Sequence, residues 1–266
     1  MIHQVTDMRR IAPLYETCDD YLCLSTLDGC MGRAWANEAE TAAQVVNGDF
    51  CMLAGDPEAE GARELILHIP PEHKGDELFI CSLGDRWNAA IESAWGETAH
   101  AFDRYAILKE PDVFDREKLK AMTAPEGYRI VPIDGALYRE CLLHDWSRDF
   151  VSQFQDEADY AARGLGVAAL KDGELVAGAS SYVVFHGGIE IEIDTRTDHR
   201  RRGLARACGA ALILACLERG LYPSWDAANP ESVALSQQLG YHPGEAYRTY
   251  SVPHQRAESA PEINRA

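Results

Sequence analysis

The stretch HRRRGLARACG, His199–Gly209, decides how the rest of the chain is read. Three arginines stand side by side in a chain of formal net charge -18. Like charges repel, so either a bound anion offsets the repulsion or the triplet is a solvated turn. The flanks favour the anion. Upstream, IEIEID (Ile189–Asp194) alternates as a strand. Downstream, LARACGAALILACLERG (Leu204–Gly220) reads as a helix, with Gly220 a favoured C-terminal stop. A helix start leaves backbone N–H groups unpaired and carries partial positive charge. That combination is a ready anion site. Gly203 lets the main chain approach closely, and Ala205 leaves room for a bulky group.

The bulk properties set limits. A chain of 266 residues suggests one large or two modest domains. With 46% hydrophobic and 26% charged residues, it has the composition of a globular protein. A pI near 4.8 argues against a nucleic-acid binder, which shows phosphate a basic face. Eight cysteines occur without a C-x-x-C pair, and no His pair has zinc-finger spacing, so no metal is expected. The N-terminus lacks an apolar signal core. No run of about 18 apolar residues occurs, so no membrane span is expected. These features together read as a reduced, cytoplasmic protein.

Along the first 110 residues, FCMLAG (Phe50–Gly55), ELILHI (Glu64–Ile69) and ELFICSL (Glu77–Leu83) read as strands. RWNAAIESAWG (Arg86–Gly96) reads as a helix, and FDRYAILK (Phe102–Lys109) as a strand. Residues 111–126 are polar and carry prolines, which fits a linker. A clearer series follows. YRIVPI (Tyr128–Ile133) is a strand, ALYRECLLHDW (Ala136–Trp146) a helix, and a second helix is expected over Ser152–Ala162. GVAALKDGELVAGASSYVVF (Gly166–Phe185) is a hairpin turning at Asp172-Gly173. PSWDA (Pro223–Ala227) is a strand, Asn229 or Pro230 opens a helix that Gly240 closes, and YHPGEAYRTYSV ends the series as a strand. The tail from residue 254 to 266 reads as disordered. Gly164-Leu165-Gly166-x-x-Ala169 imitates a dinucleotide fingerprint, but it precedes a strand where the fingerprint must follow one.

Arg200-x-x-Gly203-x-Ala205 resembles the Q/R-x-x-G-x-G/A pyrophosphate loop of the GNAT superfamily of acyl-CoA N-acyltransferases. Asn229-Pro230-Glu231-Ser232, followed by Leu239-Gly240-Tyr241, resembles the family's later N-x-x-[AS] and L-G-[FY] elements. The order of elements from Tyr128 to Val252 is similar too. The resemblance implies an α/β fold class with an α+β mixed sheet. A C-terminal GNAT-like catalytic domain over 127–253 would follow a smaller α/β N-terminal domain over 1–110, with a degenerate GNAT-like copy as one reading of the latter. The layout resembles the two-domain members, the zwittermicin A resistance type among them. The acyl donor implied is acetyl-CoA. The acceptor implied is a small-molecule or peptide amine, with no nucleic-acid or membrane partner; no oligomeric state is legible. Arg200, Arg201, Arg202, Gly203, Leu204 and Ala205 would hold the diphosphate. Ile193, Asp194 and Thr195 would flank the pantetheine arm, and Asn229 and Ser232 would contact it. Asn229 reads equally as a helix N-cap.

Alternation in IEIEID sends Glu190, Glu192 and Asp194 to one face. Either that face meets solvent, or it forms a pocket for a cationic amine with a general base. A protonated amine cannot attack a thioester until it loses a proton, and a carboxylate can accept it. By its distance from the loop, Glu192 matches the family's glutamate, with Glu190 second. The family often has a tyrosine general acid four residues before the Gly of L-G-[FY]; here Ser236 stands there. That departure supports a rival reading, a non-catalytic acyl-CoA sensor. The acidic strand face speaks against the rival. Asp226 is a further candidate for an acidic amine pocket.

Overall fold

Two sheets share one chain whose last strand returns to the first sheet. The computed structural model describes residues 1–254. The first sheet contains β1 (Ile2–Val5), β2 (Arg33–Asn37), β3 (Ala42–Asn47), β4 (Phe50–Gly55), β5 (Glu77–Ser82) and β6 (His100–Ile107). The second contains β7 (Arg129–Pro132), β8 (Gly166–Lys171), β9 (Glu174–Phe185), β10 (Gly188–Thr195) and β11 (Tyr222–Ser224). Two late strands, β12 (Asp226–Ala227) and β13 (Pro243–Pro253), join the first sheet. Its order is β1-β2-β3-β4-β5-β13-β6-β12; the second runs β11-β10-β9-β8-β7. The helices are α1 (Tyr21–Leu27), α2 (Ala62–Leu67), α3 (Arg86–Trp95), α4 (Arg116–Lys120), α5 (Gly135–Cys141), α6 (Glu157–Arg163), α7 (Leu204–Glu218) and α8 (Pro230–Leu239). The whole is a mixed α/β fold.

Local chemistry explains most of these elements. The β8–β9 hairpin turns at Asp172 and Gly173, both at positive φ (52° and 91°), as a primed turn requires. Helix α7 buries Leu204, Ala207, Cys208, Ala210, Leu212, Ile213 and Cys216, because it lies between the second sheet and helices α4 and α8. Asn229 caps α8, its Oδ1 accepting from the Ser232 N–H at 2.9 Å, and Pro230 occupies the first turn. Gly240 ends that helix at φ 111°.

Several sequence expectations change, among them the helix over Ser152–Ala162, which the structure starts only at Glu157. ELILHI is not a strand: α2 covers Ala62–Leu67. Ala62, Leu65 and Ile66 are its buried residues, and their spacing makes one helix face. Residues 111–126 are not a bare linker, because α4 packs on α7, buries Leu119 and sends Arg116 Nη2 to the Leu217 carbonyl at 3.0 Å. Finally, β13 belongs by sequence to the 127–253 segment, yet it pairs antiparallel with both β5 and β6. The first sheet is therefore incomplete without it. The tail was expected to begin at residue 254, but the His254 N–H donates to the Asp76 carbonyl at 2.8 Å; positions 255–266 lie outside the described residues.

Other contacts weld the seam between the sheets. Ser25 Oγ on α1 donates to the Val184 carbonyl of β9 at 2.6 Å, and Tyr21 stacks on Phe185 with ring centroids 4.0 Å apart. A fragment of residues 1–110 lacks β13 from the middle of its sheet. It is expected to show no cooperative thermal transition by circular dichroism, whereas the full chain shows one; a sharp transition in the fragment would contradict this dependence.

Candidate active site

The PSWDA run serves two sheets. Residues Tyr222–Ser224 run parallel to Gly188–Glu190 of β10. After Trp225 the chain leaves, and Asp226 and Ala227 pair with β6 in the other sheet. The Trp225 indole N–H donates to Ser232 Oγ at 3.1 Å, which anchors the departure point to α8. From Ile191 onward β10 keeps β9 on one side but has no strand on the other among the described residues. Backbone groups on that open edge need partners.

The gap widens into a cleft of about 890 Å³. Phe50, Phe79 and Arg104 of the first sheet form one wall, residues 190–195 of β10 another, and residues 199–206 the mouth. At the mouth, Gly203 is the N-cap of α7 at φ 81°, and among the described residues no side chain caps the helix. The first-turn N–H groups are thus left for an external acceptor. A Cβ at Gly203 would meet only Arg206 Nη2, at 3.9 Å. Glycine is demanded there by the left-handed backbone, and the space beside it is open.

The arginines divide the work. Arg200 Nε donates to the Thr195 carbonyl at 2.9 Å, and its Nη2 reaches Asp194 Oδ1 at 3.3 Å. Arg202 Nη1 donates to the Tyr128 hydroxyl and Nη2 to the Asp198 carbonyl, each at 3.1 Å. These two brace the loop. The side chains of Arg201 and Arg206 make no hydrogen bond or ion pair among the described residues. Arg201 sits at φ 60°, and both guanidinium groups are exposed at the mouth. Arg206 escaped the sequence reading, although it lies one turn beyond the glycine.

Inside, the sign of charge reverses. Glu190 is 5% exposed, and its Oε1 is buried without a hydrogen-bond partner among the described residues. Burial raises its pKa to about 7 against the pull of Lys109. Burial, then the charges of Asp149 and Asp194, push Glu192 up to about 8. Asp226 pairs with Arg104, Nε to Oδ1 at 2.8 Å and Nη2 to Oδ1 at 2.6 Å. Burial still raises the Asp226 pKa despite Arg104. Asp226 is therefore committed to a buried ion pair rather than free for an amine.

Of the expected residues, Glu190, Glu192, Ile193, Asp194, Arg200–Ala205, Asn229 and Ser232 all line this one cleft. Thr195 lines it as well, but its N–H bonds Asp194 Oδ1 and its carbonyl is taken by Arg200. It has no main-chain group to spare. Ser236 is a correction. It is fully buried, its hydroxyl donates to the Val233 carbonyl at 2.9 Å, and it is absent from the cleft lining. A serine inside a helix can satisfy its hydroxyl on a carbonyl of the preceding turn, as Ser236 does. Asp49, Tyr182, Arg104 and Asp149 join the lining from segments far apart in sequence, where no local spacing links them. Among the described residues no group of three or more His, Cys, Asp or Glu could hold a metal ion, and no helix is long and apolar enough to cross a membrane.

Comparisons with known proteins identify the family. The GNAT acetyltransferase family profile matches residues 12–250, so the chain belongs to that family and is an N-acetyltransferase. A curated relative, the uncharacterized N-acetyltransferase YdfB of Bacillus subtilis, is 27% identical over 208 residues, covering 75% of this chain and 76% of that protein. The crystal structure of a GCN5-related N-acetyltransferase-like protein from Streptococcus suis is 38% identical, with a TM-score of 0.86 over 92% of this chain and 98% of its own. A tandem GNAT protein from the clavulanic acid biosynthesis pathway shares the fold, at 14% identity and TM-score 0.51 over 95% of this chain and 98% of its own.

The buried carboxylates set a stability signature. Both raised pKa values mean that the folded state binds these protons more tightly than the unfolded chain does. Their stabilising contribution is full below the ordinary Glu value and is lost as pH rises through about 7 and about 8. Glu190→Gln is therefore expected to raise the melting temperature at pH 9 and to leave it little changed at pH 4.5, followed by differential scanning fluorimetry. An equal shift at both pH values would contradict the burial argument.

Proposed function

We propose that the protein transfers the acetyl group of acetyl-CoA directly to a primary amine within the cleft. The observation that carries this reading is the uncapped start of α7 beside the open edge of β10, a diphosphate site adjoining a strand-like track. The main-chain N–H groups of Gly203, Leu204 and Ala205, with Arg201 and Arg206 at the rim, would hold the diphosphate. The pantetheine arm would run along Ile191–Asp194. The two-domain reading belongs here as well. Residues 1–110 supply one wall, and the alignment with a tandem GNAT protein supports a duplicated origin.

In the reaction, Glu192 takes a proton from the incoming ammonium, directly or through a water. The neutral nitrogen attacks the thioester carbonyl, and an N–H on the open β10 edge stabilises the oxyanion. Collapse of the tetrahedral intermediate breaks the C–S bond, and the second proton of the attacking nitrogen passes to the departing thiolate, directly or through water, giving the amide and the CoA thiol. A thiol of ordinary pKa, about 8.5, leaves without a strong acid. The burial of Ser236 is therefore compatible with turnover.

Two outcomes follow. Gly203→Glu places bulk and negative charge where the diphosphate sits and is expected to abolish acetyl-CoA binding by calorimetry; micromolar binding in that variant would contradict the loop assignment. For the wild type, kcat/KM is expected to rise with pH until Glu192 is ionised, near 8. Glu192→Gln is expected to lower kcat by about 100-fold and to remove that limb. Tight acetyl-CoA binding without thiol release on an amine panel would instead indicate the sensor reading.

A further inference from the structure

A second cavity, of about 990 Å³, abuts the first. Asp49 and Asp149 line both. Asp49 lies in the turn between β3 and β4. Gly48 holds that turn at φ 60°, and a Cβ there would come within 2.3 Å of the Tyr182 hydroxyl oxygen. The Asp49 N–H donates to that hydroxyl at 2.9 Å, which fixes the turn against β9. Asp149 sits in the short turn Arg148–Phe150 and accepts from Ser152 Oγ at 2.9 Å. The other contacts of the Asp49 carboxylate are long, 3.5 Å to the Tyr182 hydroxyl and 3.7 Å to His73 Nε2.

These carboxylates act on one another. Burial and the charge of Asp149 raise the pKa of Asp49, with His73 and Arg148 pulling the other way. Asp149 also acts on Glu192. Carboxylates thus run from β10 to the seam, with Arg104, Arg148 and His73 among them. Independently, Glu190 in the wall of the first cleft is 5% exposed, and its Oε1 has no hydrogen-bond partner among the described residues. The cleft wall here is aromatic, formed by Phe50, Phe79 and Tyr182, with the Asp226-paired Arg104 guanidinium 4.7 Å from the Phe50 ring centroid. Phe50 packs with Phe79 and Tyr182 at ring-centroid distances of 5.3 Å and 6.1 Å. That surface suits a short methylene chain.

We propose that the acceptor is a linear diamine or polyamine whose second ammonium group is held by Asp49 and Asp149 while its first reacts beside Glu192. This rests on the acetyl-transfer reading and adds the substrate class and two specificity-determining residues. The two carboxylates come from opposite sides of the seam, so an acceptor carrying one charge engages only the reacting end. A second charge and its methylene spacer fill the junction of the cavities.

The test uses the full chain, thiol release from acetyl-CoA, and a matched pair of probes, spermidine and butylamine. Spermidine is expected to exceed butylamine in kcat/KM by at least about tenfold, the scale of a desolvated charge pair. Asp149→Asn and Asp49→Asn are each expected to reduce that ratio by about tenfold, and Asp149→Glu to restore most of it. Should an Asn variant fail to fold, the wild type alone still decides: spermidine is expected to raise its melting temperature more than butylamine at equal ionic strength. A ratio near one, a ratio unchanged in both Asn variants, equal thermal protection by both amines, or no turnover of either amine despite acetyl-CoA binding would each overturn the proposal. Failure to bind acetyl-CoA would overturn the reading beneath it.

Discussion

A strand that cannot stay with its neighbour creates the site. Tyr222–Ser224 hold to β10 for three residues, and after Trp225 the chain is drawn to β6. The edge of β10 beyond Glu190 is left open inside a folded protein. Exposed ladder groups there invite an extended ligand, since main-chain hydrogen bonding is obligatory for the strand. The α7 start follows the end of the same strand, so one topological break leaves an open strand edge close to a helix start that no side chain caps among the described residues.

The cleft has an electrostatic axis. Its mouth is basic: Arg201 and Arg206 make no hydrogen bond or ion pair among the described residues, and Arg200 and Arg202 brace the loop from which they extend. Its interior is acidic. This polarity suits an anionic donor at one end and an ammonium at the other. It also costs stability, because Glu190 and Glu192 are held among apolar and like-charged surroundings. A raised carboxylate pKa is what a general base working near neutral pH needs.

Much of this was legible in the sequence because it is local. The Asp172-Gly173 turn, the apolar face of α7, the Asn229 cap and the glycine before a helix all depend on neighbours within a few positions. The place of Glu192 on the strand that leads to the arginine loop follows from its distance from Gly203. The rest was hidden for physical reasons. ELILHI is apolar enough for a strand, and only packing around Leu65 and Ile66 settles it as a helix. The insertion of β13 between β5 and β6 joins segments more than 130 residues apart. Ser236 aligned with the family's tyrosine but turns its hydroxyl into its own helix. Asp49 and Asp149 meet only through the seam, and neither sits in a recognisable motif.

The most direct measurement is a crystal structure of the full chain with CoA. The account predicts the diphosphate within hydrogen-bond distance, about 3 Å, of the amides at residues 203–205, and the pantetheine arm alongside Ile191–Asp194. CoA bound elsewhere on the surface, with the β10 edge unchanged, would contradict it.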